Sequence, residues 1–198
     1  MQLDYFVTEK ITELVQKLSK RVNLDAGCGN GKYSQFFKGP VLALDVDPKN
    51  LKMAKTKYDS VIQGSICYLP FKSNAFSFVL CGEVIEHLTK KEGENALDEL
   101  ERVSDNLLVT TPNRNRWFKI LSRLVYRKEN PEHISCWTAQ ALQKKMFDVH
   151  GCLGWVTAQK VPYIIRKIWN FIAWYFPELF GGDLIGIKKL SMFCACEE

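Results

Sequence analysis

A glycine-rich loop lies between two short apolar runs near the start of this chain, and each run carries an acid at its end. The first run contains Asp25 and leads into Gly-Cys-Gly-Asn-Gly over residues 27–31, and the second run ends at Asp45. A strand–loop–helix–strand unit of this kind lets a cofactor approach bare backbone, because side chains in the loop would block it. A carboxylate after the second strand can accept hydrogen bonds from ribose hydroxyls. The pattern therefore predicts a parallel α/β sheet that binds a nucleoside-containing cofactor.

The spacing of the glycines distinguishes between cofactors. A dinucleotide fingerprint, Gly-x-Gly-x-x-Gly, would place its third glycine at position 32, where the chain has Lys32. The sequence from Asp25 to Gly31 instead reads D-x-G-x-G-x-G, which resembles motif I of the class I S-adenosylmethionine-dependent methyltransferases. The resemblance implies that the cofactor is S-adenosylmethionine and that NAD does not bind.

Further motifs extend this resemblance over about the first half of the chain. Gly64–Phe71 reads GSICYLPF, Phe76–Leu80 is an apolar strand, and Glu83–Leu88 reads EVIEHL. In this order the three segments resemble the type 11 methyltransferase subfamily, which includes enzymes of ubiquinone and menaquinone biosynthesis. The subfamily fold is a seven-stranded Rossmann-like sheet whose last strand is antiparallel.

Hydrophobic periodicity predicts alternating strands and helices. The predicted strands cover residues 21–26, 41–46, 60–63, 76–81, 106–110, 149–157 and 187–194. The predicted helices cover 8–19, 32–37, 48–58, 89–103 and 138–146. This alternation is typical of an α/β doubly wound sheet with helices on both faces. We expect one methyltransferase domain over 1–198, with an N-terminal helix within residues 1–20.

The resemblance also assigns residues to the cofactor. It places Asp25 and Gly27 beside the methionine end, and Asp45 against the ribose hydroxyls. Where the family usually has an aspartate at the adenine amino group, this chain has Ser65, whose hydroxyl can still accept a hydrogen bond. The predicted cofactor-binding residues are Asp25, Gly27, Cys28, Gly29, Asp45, Val46, Ser65, Ile66 and Cys81.

The segment Glu83-Val-Ile-Glu86-His87 admits three interpretations. On a helical turn, Glu83 and His87 would share a face with Glu86 alongside. The first interpretation is structural, with these side chains bonding to nearby backbone. The second makes His87 and Glu83 the catalytic residues, with His87 as general base for a hydroxyl acceptor. The third is a metal site.

The metal interpretation rests on a second resemblance. The sequence EVIEHL is similar to the metal-binding segment of small-RNA 3′-terminal 2′-O-methyltransferases, in which a later histidine completes the site. His133, followed by Trp137, is the counterpart here. Two carboxylates (Glu83, Glu86) and two imidazoles (His87, His133) could hold a divalent ion that acidifies a ribose hydroxyl. This alternative predicts an RNA acceptor and a contiguous basic surface beside Glu83 and His133.

An aromatic-rich segment, residues 161–180, follows the predicted sheet. Its apolar residues form a broad helical stripe, and Arg166, Lys167 and Asn170 interrupt it, so we expect an amphipathic helix rather than a transmembrane one. It could pack over the sheet edge, rest on a membrane surface, or cap the active site within a segment over 161–184. The capping interpretation supports the leading functional prediction, methyl transfer to a small apolar acceptor, and the RNA acceptor is the alternative to it. A non-catalytic, cofactor-binding regulatory module remains the third functional alternative.

Composition adds weaker constraints. The net charge of +5 comes from scattered lysines, which favours a solvated surface over a nucleic-acid interface. The chain has seven cysteines, an odd number, and several of them lie in apolar surroundings: Cys81, Cys152 and Cys194. The Met1 end has no signal-peptide pattern. We therefore predict a cytoplasmic protein with buried thiols and no disulfide framework.

Overall fold

The computed structural model describes residues 5–113, 132–152 and 163–189. The strands are β1 (Asn23–Ala26), β2 (Val41–Asp45), β3 (Ser60–Gln63), β4 (Phe78–Gly82), β5 (Asn106–Pro112), β6 (Asp148–Cys152) and β7 (Asp183–Lys189). The helices are α1 (Tyr5–Leu18), α2 (Pro48–Ala54), α3 (Lys90–Val103), α4 (Ala139–Gln143), α5 (Tyr163–Tyr175) and α6 (Pro177–Phe180). Short 3-10 turns occupy Ser34–Phe36 and Ile85–His87.

The seven strands form one sheet in the order β3-β2-β1-β4-β5-β7-β6. Strand β1 pairs in parallel with β2 and with β4, and β2 pairs in parallel with β3. The last strand is antiparallel, so the predicted seven-stranded Rossmann-like sheet is confirmed. The carboxyl ends of β1 and β2 therefore meet at one edge, which is where open α/β sheets bind ligands.

The chain divides into two compact units, one of which contains residues 12–82, 91–109 and 187–198. In this unit β1 and β4 are buried almost completely: β4 is accordingly a nearly continuous apolar run, whereas β1 also buries the polar residues Asn23 and Asp25. Helix α2 begins at Pro48 because a proline lacks the N–H that a first helical turn leaves unpaired, and Asp47 caps it by accepting from the Lys49 amide. The α2 side chains Leu51 and Ala54 pack on β2.

The other unit contains residues 1–11, 83–90 and 110–186. Here α5 and α6 pack against β6. The approach is close at Gly151, where an added Cβ would lie 2.6 Å from the Ala173 carbonyl oxygen and 2.9 Å from the Pro177 Cα. Because both neighbours are backbone atoms, only glycine fits at that position. The prediction of a single domain over the whole chain is not tested by this division and stays a prediction.

Several predicted boundaries are wrong. The helix expected over 32–37 is only the 3-10 turn Ser34–Phe36, because the backbone is already extended at Phe37. The helix expected over 48–58 ends at Ala54, and strand β7 begins at Asp183 rather than at 187. The last part of the predicted strand over 149–157 lies outside the described residues. Strand β3 has the predicted bounds.

Cys81 and Cys152 are buried free thiols, as predicted, whereas Cys136 is exposed and Cys194 lies outside the described residues. Within the three described ranges, no helix combines the length and apolar character needed to cross a bilayer.

Candidate functional site

The glycine-rich loop after β1 has a backbone conformation that favours glycine at three of its positions. Gly27, Gly29 and Gly31 have φ angles of 78°, 54° and 82°, which residues with a Cβ adopt at a cost. The amides of Gly27 and Cys28 both donate to the carbonyl oxygen of Leu44, at 2.7 and 3.0 Å. The loop is thereby fixed to the end of β2 and presents backbone where a cofactor would approach.

Asp45 connects that loop to the turn after β2. Its Oδ2 accepts from the Gly29 amide at 2.8 Å, and its Oδ1 accepts from the Asp47 amide at 2.8 Å and from Asn50 Nδ2 at 3.2 Å. A carboxylate has about four acceptor sites, so roughly one is left for a further donor. Asp45 is therefore a structural clamp of the loop as well as the predicted ribose ligand.

Asp25 has a partner that the sequence pattern did not reveal. The carboxylate is 2% exposed and accepts a hydrogen bond from the hydroxyl of Tyr58, which is itself buried. The pKa of Asp25 is raised to about 7: burial raises it most, the hydrogen bond from Tyr58 lowers it, and the nearby Asp45 charge raises it. Burial also raises the pKa of Tyr58, so that this hydroxyl stays a donor.

The remaining predicted cofactor residues lie in the same unit. Burial, with the charges of Asp25 and Asp45, raises the pKa of Cys28 to about 12, so Cys28 is a neutral thiol. Val46 is 70% exposed directly after Asp45, as suits a side chain that would pack on a ligand base. Ser65, Ile66 and Cys81 complete the set: Ile66 and Cys81 are buried, and Ser65 Oγ accepts from the Cys67 amide at 3.2 Å.

The predicted helical turn from Glu83 to His87 is wrong. Glu83 has a φ of 59°, in the left-handed region, and its amide donates to the Thr110 carbonyl oxygen at 2.9 Å. Helical geometry starts only with the 3-10 turn Ile85–His87. The exposed Glu83 is consequently not grouped with the metal-ligating atoms of its neighbours.

Three side chains of this unit do converge. One carboxylate oxygen of Glu86 and one ring nitrogen each of His87 and His133 lie within 4.8 Å of one another. The two imidazole rings meet edge to face, with centroids 5.0 Å apart. His87 Nδ1 lies 3.1 Å from the Glu132 carbonyl oxygen, an acceptor only, so Nδ1 carries the proton. The Nε2 of His87 is therefore left for a metal ion or a proton.

The segment around His133 is anchored to the 3-10 turn by several hydrogen bonds. The Ser135 amide donates to the Glu86 carbonyl oxygen at 3.0 Å, while Ser135 Oγ and Trp137 Nε1 donate to the Ile85 carbonyl oxygen at 3.1 and 3.2 Å. Trp137 is 1% exposed, and the Lys90 ammonium lies 3.0 Å from the centroid of its indole ring. These contacts position His133 beside His87.

Glu86 is an unusual residue for a buried position. It is 2% exposed, and its Oε2 accepts from the Thr111 hydroxyl at 3.1 Å, whereas its Oε1 has no hydrogen-bond donor within the described part of the chain. Burial raises the pKa of Glu86, its own backbone amide, His87 and Thr111 lower it, and Asp183 raises it. A buried carboxylate grouped with two imidazoles fits the donor set of a divalent cation.

Comparison with known proteins agrees with this architecture. Residues 24–106 match the Methyltransf_11 family, a methyltransferase domain. An uncharacterized protein of Methanocaldococcus jannaschii is 33% identical over 123 residues, which are 59% of this chain and 53% of that protein. The chain thus spans about half the length of this relative.

Solved structures show the same fold at low identity. The small RNA methyltransferase HEN1 superposes with a TM-score of 0.66 at 17% identity, over 94% of this chain and 25% of that one. Magnesium protoporphyrin IX methyltransferase from Synechocystis PCC 6803, crystallised with bound S-adenosylhomocysteine, gives a TM-score of 0.61 at 13% identity, over 92% and 82% of the two chains. Residues 24–106 of this chain are therefore a type 11 methyltransferase domain, and the seven-stranded sheet has the fold of the S-adenosylmethionine-dependent methyltransferases.

Proposed function

We propose that this chain transfers a methyl group from S-adenosylmethionine to a hydroxyl acceptor and that Glu86, His87 and His133 hold a divalent ion for that reaction. Two observations carry the proposal: a carboxylate oxygen of the buried Glu86 lies within 4.8 Å of a ring nitrogen of each histidine, and Glu86 Oε1 has no hydrogen-bond donor among the described residues. When bound, such an ion lowers the pKa of a coordinated hydroxyl. The cofactor supplies an activated methyl group, so the protein mainly has to align donor and acceptor.

The cofactor assignment rests on the loop and its clamp. The three glycines keep side chains away from the approaching ligand, and Asp45 holds both the loop and the turn that follows β2. A ribose hydroxyl would take the remaining acceptor site of Asp45 or replace the longer bond from Asn50. We propose that the nine residues named in the sequence analysis contact the cofactor, with Tyr58 positioning Asp25.

For the acceptor we propose the 3′-terminal ribose of an RNA. Its neighbouring hydroxyls can offer two oxygens to one cation, and the fold similarity to a small RNA methyltransferase supports the same class. This proposal predicts a contiguous basic surface beside Glu83 and His133, and the residues between them in sequence lie partly outside the described ranges. The surface therefore stays a prediction.

A small apolar acceptor is the second candidate. It is favoured by α5, which exposes large apolar side chains in the same unit as the histidine cluster, namely Ile164, Ile165, Ile168, Phe171 and Tyr175. Under this candidate His87 acts as a general base through Nε2, without a metal ion. One nitrogen cannot hold a cation and accept a proton at the same time, so the two candidates are separable by experiment.

Calorimetric titration with Mn²⁺ tests the metal site. We expect binding to wild type, at least a tenfold loss of affinity in Glu86→Gln and in His133→Ala, and wild-type affinity in Glu83→Gln, since Glu83 is outside the cluster. Equal Mn²⁺ affinity in Glu86→Gln and wild type, with both folded, would remove the metal from the proposal.

Methyl transfer from radiolabelled S-adenosylmethionine tests the acceptor. A short RNA with a free 3′-terminal diol should be labelled, and the same RNA already 2′-O-methylated at its 3′ end should not. Labelling of 1-naphthol that persists in EDTA would favour the second candidate. Binding of S-adenosylhomocysteine without transfer to either acceptor class would favour the non-catalytic regulatory module.

A further inference from the structure

A cavity of about 330 Å³ lies beside helix α5, in the unit that contains residues 1–11, 83–90 and 110–186. Its volume is at the lower end of the range of small-molecule sites. Helices α1 and α5 and strand β6 supply its walls. The lining side chains that matter here are Lys10, Cys152, Lys167, Phe171, Trp174 and Tyr175.

The aromatic wall of this cavity is preformed. The indole of Trp174 stacks on the imidazole of His150, with ring centroids 3.9 Å apart and an angle of 6° between the planes. His150 Nδ1 lies 3.1 Å from the Trp174 carbonyl oxygen, and His150 Nε2 lies 3.2 Å from Asp148 Oδ2. His150 of β6 thus contacts both the ring and the backbone carbonyl of Trp174. A ligand that packs on this ring would therefore lose little conformational entropy of the Trp174 side chain on binding.

The charged residues that line this cavity, among those that the structure describes, are two lysines. Lys10 and Lys167 both border the cavity, and the Lys10 ammonium lies 5.0 Å from the centroid of the Trp174 ring. Among the described residues, no aspartate or glutamate lines it. Apolar walls bordered by two lysine side chains complement a ligand that has an apolar body and an anionic end.

We propose that this cavity is a binding site for a small amphipathic anion. Such a ligand has an apolar body, either a flat aromatic ring system or an aliphatic chain, and carries one carboxylate or phosphate. The apolar body would pack on Trp174 and Phe171, and the anionic end would lie between the two lysines. The site shares no residue with the histidine cluster or with the glycine loop. It is therefore distinct from the proposed metal and cofactor sites, although Phe171 and Tyr175 also belong to the α5 face on which the apolar-acceptor candidate rests.

Two kinds of ligand have this chemistry: a free anion in solution and an anionic lipid. Phe171 and Tyr175 line the cavity and are also 66% and 63% exposed, so the wall continues into the apolar outer face of α5. The anion could arrive free in solution or as the head group and chain of an anionic lipid. An experiment with both kinds of probe distinguishes them.

Titration calorimetry with a matched pair of probes tests the site, using 1-naphthaleneacetate as the anion and 2-(1-naphthyl)ethanol as its neutral analogue. We expect the anion to bind about tenfold more tightly than the alcohol. The double variant Lys10→Gln/Lys167→Gln should lose this preference, and Phe171→Ala, a change at an exposed position, should weaken both probes. Lys52→Gln, which removes an exposed lysine from α2, serves as the matched control and should bind like wild type.

Cosedimentation with phosphatidylglycerol and phosphatidylcholine vesicles identifies the source. Lysine-dependent binding to the anionic vesicles alone supports a lipid, and its absence with retained naphthaleneacetate binding supports a soluble anion. Equal affinity for anion and alcohol in wild type, no binding of either probe, or an equal loss of preference in Lys52→Gln overturns the proposal. Glu86→Gln should bind both probes like wild type, so failure of the metal proposal would not affect this result.

Discussion

The Asp45 carboxylate accepts a hydrogen bond from the Gly29 amide at 2.8 Å, which joins the acid at the end of β2 to the loop that follows β1. The same carboxylate accepts from the Asp47 amide at 2.8 Å. One side chain therefore determines the conformation of both segments that border the predicted ribose site. Loss of its charge should affect stability and cofactor binding together.

Asp45→Asn tests this relationship. An asparagine offers one acceptor oxygen, so it keeps the bond to Gly29 or to Asp47 but weakens the other. Hydrogen bonds to a charged group contribute about 1.5–3 kcal/mol, so we expect a loss of stability of that order and at least tenfold weaker S-adenosylhomocysteine binding. Urea unfolding and calorimetry measure the two effects.

Asp47→Ala is the matched control for this variant. It removes the cap of α2 and should cost about 1 kcal/mol in the free energy of unfolding, with little effect on cofactor affinity. Unchanged S-adenosylhomocysteine affinity in a folded Asp45→Asn protein would mean that the ribose binds elsewhere.

The Asp25 carboxyl predicts a pH dependence of stability. Its pKa is raised to about 7 in the folded protein, so the folded state binds more protons than the unfolded state between pH 4 and pH 7. The free energy of unfolding should therefore fall as pH rises through that window. Asp25→Asn should remove this pH dependence of the free energy of unfolding. Tyr58→Phe should extend the window to higher pH, because the hydrogen bond from Tyr58 lowers the pKa of Asp25. Urea unfolding at pH 5, 6, 7 and 8 provides the comparison, and parallel curves for wild type and Asp25→Asn would contradict it.

Substitution by alanine should destabilise the fold more at Gly31 than at Gly29. At Gly31 the φ angle is 82° and a Cβ would lie 2.9 Å from Lys57 Cδ and 3.0 Å from Tyr58 Cε2, whereas at Gly29 no heavy atom lies within 4 Å. Gly29→Ala should cost about 1–2 kcal/mol from backbone strain alone. Gly31→Ala should cost more, because the buried Tyr58 has to move as well. Equal midpoints of thermal unfolding for the two variants would show that Tyr58 adapts freely.

Trp137→Phe tests what positions His133. The substitution keeps a buried ring but removes the Nε1–H that donates to the Ile85 carbonyl oxygen at 3.2 Å and to Ser135 Oγ at 3.1 Å. We expect a several-fold weaker Mn²⁺ affinity, since second-shell contacts of this kind orient metal ligands. Phe78→Leu, a conservative change in the core of β4, controls for a general loss of stability. An Mn²⁺ affinity equal to that of wild type would show that Ser135 alone anchors the segment.

The parts of this protein that follow from the sequence are those determined by neighbouring residues. The glycine loop, the position of Asp45 and the alternation of strands and helices in the first half depend on local pattern, and the seven-stranded fold that the family resemblance implied is confirmed. Tyr58 was missed because its bond to Asp25 joins residues 33 positions apart, with no periodic signal. The grouping of Glu83 with His87 was wrong because it assumed helical geometry, whereas Glu83 adopts a left-handed conformation at the end of β4.

Relative to wild type, Glu86→Gln should not be less stable to unfolding at pH 8 without metal, and it should be less stable with Mn²⁺ present. Without metal, the raised pKa of the buried Glu86 means that its ionised form destabilises the fold, so stability should fall as pH rises above 4.5, and the glutamine variant should be at least as stable as wild type at pH 8. With Mn²⁺ at ~100 times its dissociation constant, wild type should gain about 2.7 kcal/mol, and the variant should gain little. Thermal unfolding at pH 8 with and without Mn²⁺ measures both effects, with Glu83→Gln as the matched control that responds like wild type. A variant less stable than wild type in EDTA, with the same response to Mn²⁺, would make Glu86 a structural carboxylate and not a metal ligand.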